Sequence, residues 1–333
     1  MQPKSRFKKP VAYYGWIGVF FLVLFALCGA LYYSTLKIDY VWRWYRIPRY
    51  FIYEENVETK AFIDGEVERI SRQDNTTSIL VKGPTNQEVY TVEHGGLRVA
   101  EGDLIYPGDV LASYSRRRPG ILIQGLWLTL KVSLIAIVFG VLIGLFGGIA
   151  RISHNPAFKW LAITYIELIR GSPLLVQIFI WYFVLGTLIN TLLARNNLYQ
   201  ISPLWFGVAA LACFAGAYVA EIVRAGIQSI HRGQTEAARS LGMTYAQCMI
   251  HVILPQATRR ILPPLAGQFI SLIKDSSLLG IIAIRELTKA TREVVTTSLQ
   301  PFELWFICAI LYLMLTFALS MFVQYLERRA VVT

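Results

Sequence analysis

Uncharged apolar runs long enough to cross a bilayer recur along this chain. A helix needs about 20 mostly apolar residues to traverse the hydrocarbon. Residues 11–36 carry no charge, and Trp16, Tyr32 and Tyr33 sit near the ends of the run, where rings suit the headgroup layer. Further runs follow at roughly 121–150, 171–194, 203–223, 261–284 and 303–326, with Lys131, Glu221, Lys274 and Asp275 as charges inside them and Glu303 at the edge of the last. Six transmembrane helices are therefore predicted. Lys4, Arg6, Lys8 and Lys9 before the first run also fit a secretory signal, but the run is too long and no small-x-small cleavage site follows, so a retained helix is expected.

Between the first two spans the pattern changes. Residues 37–118 hold twelve Lys and Arg and thirteen Asp and Glu. The first part, 37–53, interleaves aromatics with arginines from Tyr40 to Phe51, which suits a segment lying in the membrane interface. RNA binding uses similar residues, but a span directly before it favours the membrane. From Phe62 short β-strands are expected at 65–70, 78–81 and 88–92, separated by Asp74-Asn75 and Gly83-Pro84 turns. Two Gly-Asp turns, Gly102-Asp103 and Gly108-Asp109, follow six residues apart. The stretch 54–118 resembles the barrel-sandwich domain of lipoyl carriers and membrane-fusion adaptors. Its one interior candidate for attachment, Lys82, lacks the flanking acidic or methionine residues of those carriers, so no lipoyl or biotin group is expected.

Composition sharpens this picture: 55% of residues are hydrophobic and 16% charged, against roughly 45–50% and about 25% in soluble domains. A soluble enzyme is excluded on that ground. The net charge of +11 points to cytoplasmic loops and lipid headgroups rather than nucleic acid. Basic residues mark the cytoplasmic side, which assigns there residues 1–10, the loop with Arg151 and Lys159, the loop 224–260, and Arg328 with Arg329. Both termini are expected in the cytoplasm and the β domain outside it. Arg116, Arg117 and Arg118 would then flank a span on the outer side, an exception that a long translocated domain tolerates. Cys28, Cys213, Cys308 and Cys248 have no metal or disulfide spacing and read as packing residues.

The loop after the fourth span carries the most specific pattern. Thr235 is expected to cap a short helix with Glu236 in its first turn, and Gly242 to end it in the left-handed conformation. Ala237 and Ala238 would offer a small surface that another backbone can approach, and a second helix would run from Thr244 to Leu254, before Pro255. Local chemistry alone also allows a hairpin that merely packs under the membrane. The spacing is Glu236-Ala-Ala, three residues, Gly242, nine residues, Val252, one residue, Leu254-Pro255. It resembles the Glu-Ala-Ala coupling loop of ABC-type importer permeases, with Val252 where isoleucine is usual.

The resemblance extends over about 119–329. Gly125-Leu-Trp-Leu-Thr-Leu-Lys131, Ile166 to Gln177 with its Gly171-Ser172-Pro173 break, Ala217-Tyr-Val-Ala-Glu-Ile222 and Gln268 to Leu278 look like the branch that imports polar amino acids. That family has five spans per subunit, so residues 1–118 are additional. The resemblance implies two ATPase subunits, a second permease subunit that is the same or homologous, and an extracytoplasmic substrate-binding protein. The chain has no Gly-x4-Gly-Lys-Ser/Thr loop, so ATP and Mg are expected on the partner ATPase and no cofactor or metal on this chain, which is not expected to be an enzyme.

Gln268, Ser271 and Asp275 recur at i, i+3 and i+7 on one helical face, and Lys274 points away from it. Asp275 suits an ammonium or guanidinium and Gln268 an amide or carboxylate; the family places its substrate site at these positions. A Lys274 and Asp275 arrangement that only locks helix packing is the competing reading. Glu167 with Arg170 and Glu221 with Arg224 are i, i+3 pairs expected to be structural or gating.

The expected fold is thus a membrane all-α core of the type I ABC importer permease fold, preceded by a first helix at 1–36, with a small inserted all-β domain. The core is 119–333, with a coupling loop at 226–262. The expected role is import of amino acids of the glutamine, glutamate, arginine and histidine class across a bacterial inner membrane. Two alternatives stand: import of another small polar solute, and an envelope adaptor role for residues 1–118.

Overall fold

The computed structural model of the chain describes residues 11–73, 76–93 and 96–331. The basic start from Lys4 to Lys9 and the Asp74-Asn75 turn lie outside the described residues, as do the side chains of Arg328 and Arg329. The chain divides into two units, one ending at Tyr45 and the other beginning at Arg46.

The first unit is the helix α1 (Val11–Lys37) and the turn that follows it. Apolar side chains cover α1 all round, as suits a helix that crosses a membrane. Past its end Trp42 donates through Nε1 to Thr35 at 3.1 Å and stacks on Trp44, ring centroids 5.6 Å apart.

In the second unit a β region precedes the helices. Strand β1 (Ile52–Lys60) pairs antiparallel with β6 (Val110–Pro119) as a long ribbon. Strands β2 (Gly65–Gln73), β3 (Thr76–Lys82), β4 (Gln87–Glu93) and β5 (Leu104–Ile105) form a sheet in the order β4-β3-β2-β5. Along β3 every second residue, Thr77, Ile79 and Val81, is buried, the period of a half-buried strand. The ribbon departs from expectation: strand structure starts at Ile52, inside the stretch whose aromatics and arginines suit the interface, and runs on through Arg116 to Arg118. Those arginines face acids across the ribbon, Arg117 pairing with Glu54 at 3.3 Å and Arg118 with Glu55 at 2.5 Å. Both Gly-Asp turns use one device. Gly102 and Gly108 take φ of +94° and +100°, and the following aspartates accept from Ala100 N at 2.7 Å and Tyr106 N at 2.8 Å.

The helical core contains α2 (Ile121–Arg151), α3 (Pro156–Gly171), α4 (Leu174–Phe179), α5 (Thr187–Arg195), α6 (Pro203–Gln228), α7 (Arg232–Ser240), α8 (Tyr245–Cys248), α9 (Leu254–Asp275), α10 (Leu287–Ser298) and α11 (Pro301–Val331). A π-turn, Ile180–Gly186, joins α4 to α5 as one span, and another, Met249–Ile253, joins α8 to α9. With α1, six helices among the described residues are long and apolar enough to cross a membrane, as the hydropathy pattern predicts.

The fifth of these differs from expectation, running Tyr245–Ile282 without stopping before Pro255. Proline removes one backbone donor and crowds the carbonyl four residues earlier, and a wider π-turn immediately before it relieves that crowding. The fourth span also extends to Gln228, so the connection between spans is shorter than 226–262. After Gly171 the chain leaves the helix at Ser172 and Pro173, as the Gly-Ser-Pro sequence suggests.

Helices α2 and α6 form the centre. Gly140, Gly144 and Gly148 lie on one face of α2 and meet Ala215, Val219 and Val223 of α6. A Cβ added at Gly144 would lie 2.4 Å from Val219, so only glycine permits this approach, the small-residue packing that associates helices in lipid. At the opposite end from α7, the ribbon's foot is seated: Ile47, Tyr50 and Phe51 pack with Ile121, Val294, Leu304 and Ile307.

Candidate functional site

The helix α7 carries the Glu-Ala-Ala pattern. Its N-cap is His231, whose Nδ1 accepts from Gly233 N at 3.1 Å, rather than Thr235, which lies within the helix. At its other end Gly242 has φ of +81°; Gly242 N donates to Arg239 O at 2.9 Å and Met243 N to Ala238 O at 3.2 Å. Those two bonds are a Schellman motif, so the glycine serves as expected. Thr244 and Gln247 then form a capping box that starts α8.

The two alanines are not equivalent. Ala238 is buried against Cys248, Ile253 and Ala257, whereas Glu236 and Ala237 face outward with Leu241, which is 83% exposed. The expected two-alanine surface is therefore a single alanine flanked by Glu236 and Leu241, because Ala238 holds α7 to its own chain. Leu254 packs half-buried on that same cluster, and Pro255 is exposed. Gln256 donates to Gln234 at 3.3 Å, a direct link from α9 to α7.

A charge cluster binds the ends of α2, α3 and α6. Arg151 reaches Glu221 at 2.8 Å and Glu167 at 3.1 Å, and Glu221 is also paired with Arg224, whose Nε donates to it at 2.9 Å. The expected Glu221 and Arg224 pair is present. Glu167 pairs with Arg151 instead of Arg170, and Arg170 lies over the Tyr218 ring, 5.3 Å from its centroid. Sequence spacing within one helix cannot reveal a partner on another, and the hydropathy pattern presents Arg151 only as a topological charge.

Gln268, Ser271 and Asp275 are half-buried along α9, and Lys274 is exposed. Asp275 forms no ion pair with Lys274 and ends the α-helix; a 3₁₀ turn, Ser276–Ile282, continues the span. The three are polar groups on one face that make no side-chain hydrogen bond or ion pair among the described residues, and Asp275 feels the charge of the adjacent Lys274.

At the ribbon end of the bundle stands a further polar centre that the sequence pattern does not signal. Glu286 is fully buried as the N-cap of α10, accepting from Thr288 N and Lys289 N, both at 2.7 Å, and from the Tyr312 hydroxyl at 2.9 Å. Burial pushes its carboxyl above the ordinary value, against the pull of these hydrogen bonds. Thr129 on α2 accepts from Leu287 N at 3.1 Å, so α2, α10 and α11 meet here.

Residues 136–332 match the family described as binding-protein-dependent transport system inner membrane component. The chain belongs to this family. A probable glutamine ABC transporter permease of Bacillus subtilis (strain 168) is 39% identical over 206 residues, 62% of this chain and 91% of the relative. A glutamate/aspartate import permease of Escherichia coli O6:H1 (strain CFT073) is 35% identical over 212 residues, covering 62% and 92%. Among solved structures, the crystal structure of an amino acid ABC transporter with histidines superposes with a TM-score of 0.56 at 41% identity, covering 63% of this chain and 94% of that one. The transport component thus occupies the helical core, and the family match leaves α1 and the β region outside it.

Proposed function

We propose that this chain is the membrane-spanning permease subunit of an ATP-driven importer for polar amino acids, of the glutamine, glutamate, arginine and histidine class. The observation that carries the reading is the match along nearly the whole length of amino-acid permeases. The face of Gln268, Ser271 and Asp275 supports it, since polar groups inside a span that form no side-chain hydrogen bond of their own are a means by which a permease holds a zwitterion away from lipid.

In this reading two permease subunits, identical or homologous, form the path, and a binding protein delivers substrate from outside. Two ATPase subunits seat α7, meeting Glu236, Ala237 and Leu241. Nucleotide and magnesium belong to those ATPases, and this chain performs no chemistry of its own. The motion enters at α7 and passes along α9 through Leu254, Pro255 and the link between Gln234 and Gln256. Arg151, Glu167, Glu221 and Arg224 hold the same end of the bundle and set how far α2, α3 and α6 can part. Both termini lie in the cytoplasm and the β region lies on the other side of the inner membrane.

A second reading concerns substrate alone: a few side chains on α9 suffice to choose another small polar solute. The β region has a hydrophobic core of its own, from Ala61 to Ala112, which supports an accessory adaptor role for it alone.

The test is copurification. The tagged chain, extracted from its native membrane in mild detergent, is expected to bring down an ATPase in stoichiometric amount, and a Glu236→Lys variant to lose it. Absence of an ATPase from both samples overturns the reading.

A further inference from the structure

Beside the charge cluster lies a cavity of about 600 Å³ lined by Arg151, His154, Lys159, Trp160, Arg224 and Gln228. It opens at the end of the bundle that carries α7. No carboxylate lines it. Arg151 and Arg224 bring two positive charges, and Glu167 and Glu221, behind the wall, balance them. Lys159 is left over: its ammonium has no hydrogen-bond or ion-pair partner among the described residues, and it stands in the first turn of α3, its backbone N donating to Asn155 O at 3.1 Å. The pocket therefore carries one uncompensated positive charge, set at the N-terminal, positive end of a 16-residue helix.

The setting selects the source of the matching anion. Trp160 is 66% exposed beside Lys159, and Phe158, Leu161 and Leu168 are exposed on the same helix, while Ala162 and Ile166 are buried on the bundle. Such a helix lies in the membrane interface, aromatic rings at headgroup depth and basic groups toward phosphate. Basic pockets between helices at this depth hold acidic headgroups. We propose that this pocket holds the phosphate of an anionic phospholipid, with Lys159 as its counter-charge, Arg151, Arg224 and Gln228 as donors, and Trp160 against the glycerol and upper acyl region. The inference rests on membrane placement of the bundle and not on the amino-acid substrate.

The experiment is native mass spectrometry of the whole complex, extracted from bilayers mixing phosphatidylcholine and phosphatidylglycerol, for wild type and Lys159→Gln. A Lys60→Gln variant in the β region serves as the control. Wild type and control are expected to retain phosphatidylglycerol in preference to phosphatidylcholine. Lys159→Gln should retain about fivefold less, the ratio set by ~1 kcal/mol per basic residue at an anionic membrane surface. Excess inorganic phosphate should leave the bound lipid in place; displacement by it would assign the pocket to a soluble phosphate and overturn the lipid. Equal phosphatidylglycerol in wild type and Lys159→Gln overturns the proposal, and loss of a protein subunit from that variant at unchanged lipid would make the pocket a protein contact. Amino-acid uptake is not the readout, so failure of the importer reading and failure of this site register separately.

Discussion

Arg151 and Glu286 stand at opposite ends of the bundle and do opposite electrostatic work. The guanidinium of Arg151 spans two carboxylates on two other helices, so its charge is compensated where it stands. Glu286 has backbone and hydroxyl donors but no ion pair among the described residues, and burial raises its carboxyl above the ordinary 4.5. Tyr312 and Cys308 from α11 are titratable groups packed against it, and Lys289 and Arg292 of α10 stand close by. A raised folded-state value means that folding favours the protonated acid, so this contribution to stability is complete below about 4.5 and is lost as pH rises through the higher folded-state value. Thermal melting of the purified protein against pH should therefore show wild type losing stability over that interval relative to Glu286→Gln, which cannot ionise. Parallel curves for the two proteins would contradict the assignment.

At the scale of elements, the contact between α2 and α6 rests on the absence of side chains. Adding one methyl at Gly144 places it 2.4 Å from Val219, and relief requires the helices to separate. Gly144→Ala is expected to cost about 1–3 kcal/mol, the usual penalty for overpacking a close-packed interface, and to lower the melting temperature of the complex. An unchanged melting temperature would show that α2 and α6 are less tightly opposed than the structure has them. This contact is legible in the sequence only in part: glycines four residues apart on an apolar helix can be read, but not which helix they meet. The spans are legible because bilayer thickness imposes a length that hydropathy registers directly. Gly242, Thr244 and the paired Gly-Asp turns are legible because their chemistry is local. The ribbon is not, since Ile52 pairs with Pro119 across a long stretch of chain and the half-buried positions of β1, Glu55, Val57 and Thr59, are mostly polar, leaving no apolar alternation to see. The helix running through Pro255 is hidden for a related reason: proline signals a stop, and only tertiary packing of Ile253 and Ala257 holds the π-turn that bypasses it.

The whole molecule joins a transport core to a β region through one narrow construction. The four-stranded sheet encloses its own core, built from residues between Ala61 and Ala112. The ribbon's foot instead packs on α2, α10 and α11, with Tyr50 donating to Gln300 at 3.3 Å. Where the ribbon enters the sheet its two strands are already side by side: Ala61 N donates to Asp109 O and Gly108 N to Ala61 O, both at 2.9 Å. Residues 62–108 can therefore be replaced by a two-residue Asn-Gly turn, which suits the twist of an antiparallel pair, without disturbing the foot. The shortened chain is expected to insert into the membrane and to elute with the same ATPase partners as the full chain, because the contacts that build the helical core are all retained. Failure to assemble would show that the sheet is part of the core's own stability. Given assembly, uptake decides what the sheet does. Transport that falls while ATPase association persists places the sheet in substrate delivery. Transport at the full rate frees it from the translocation cycle.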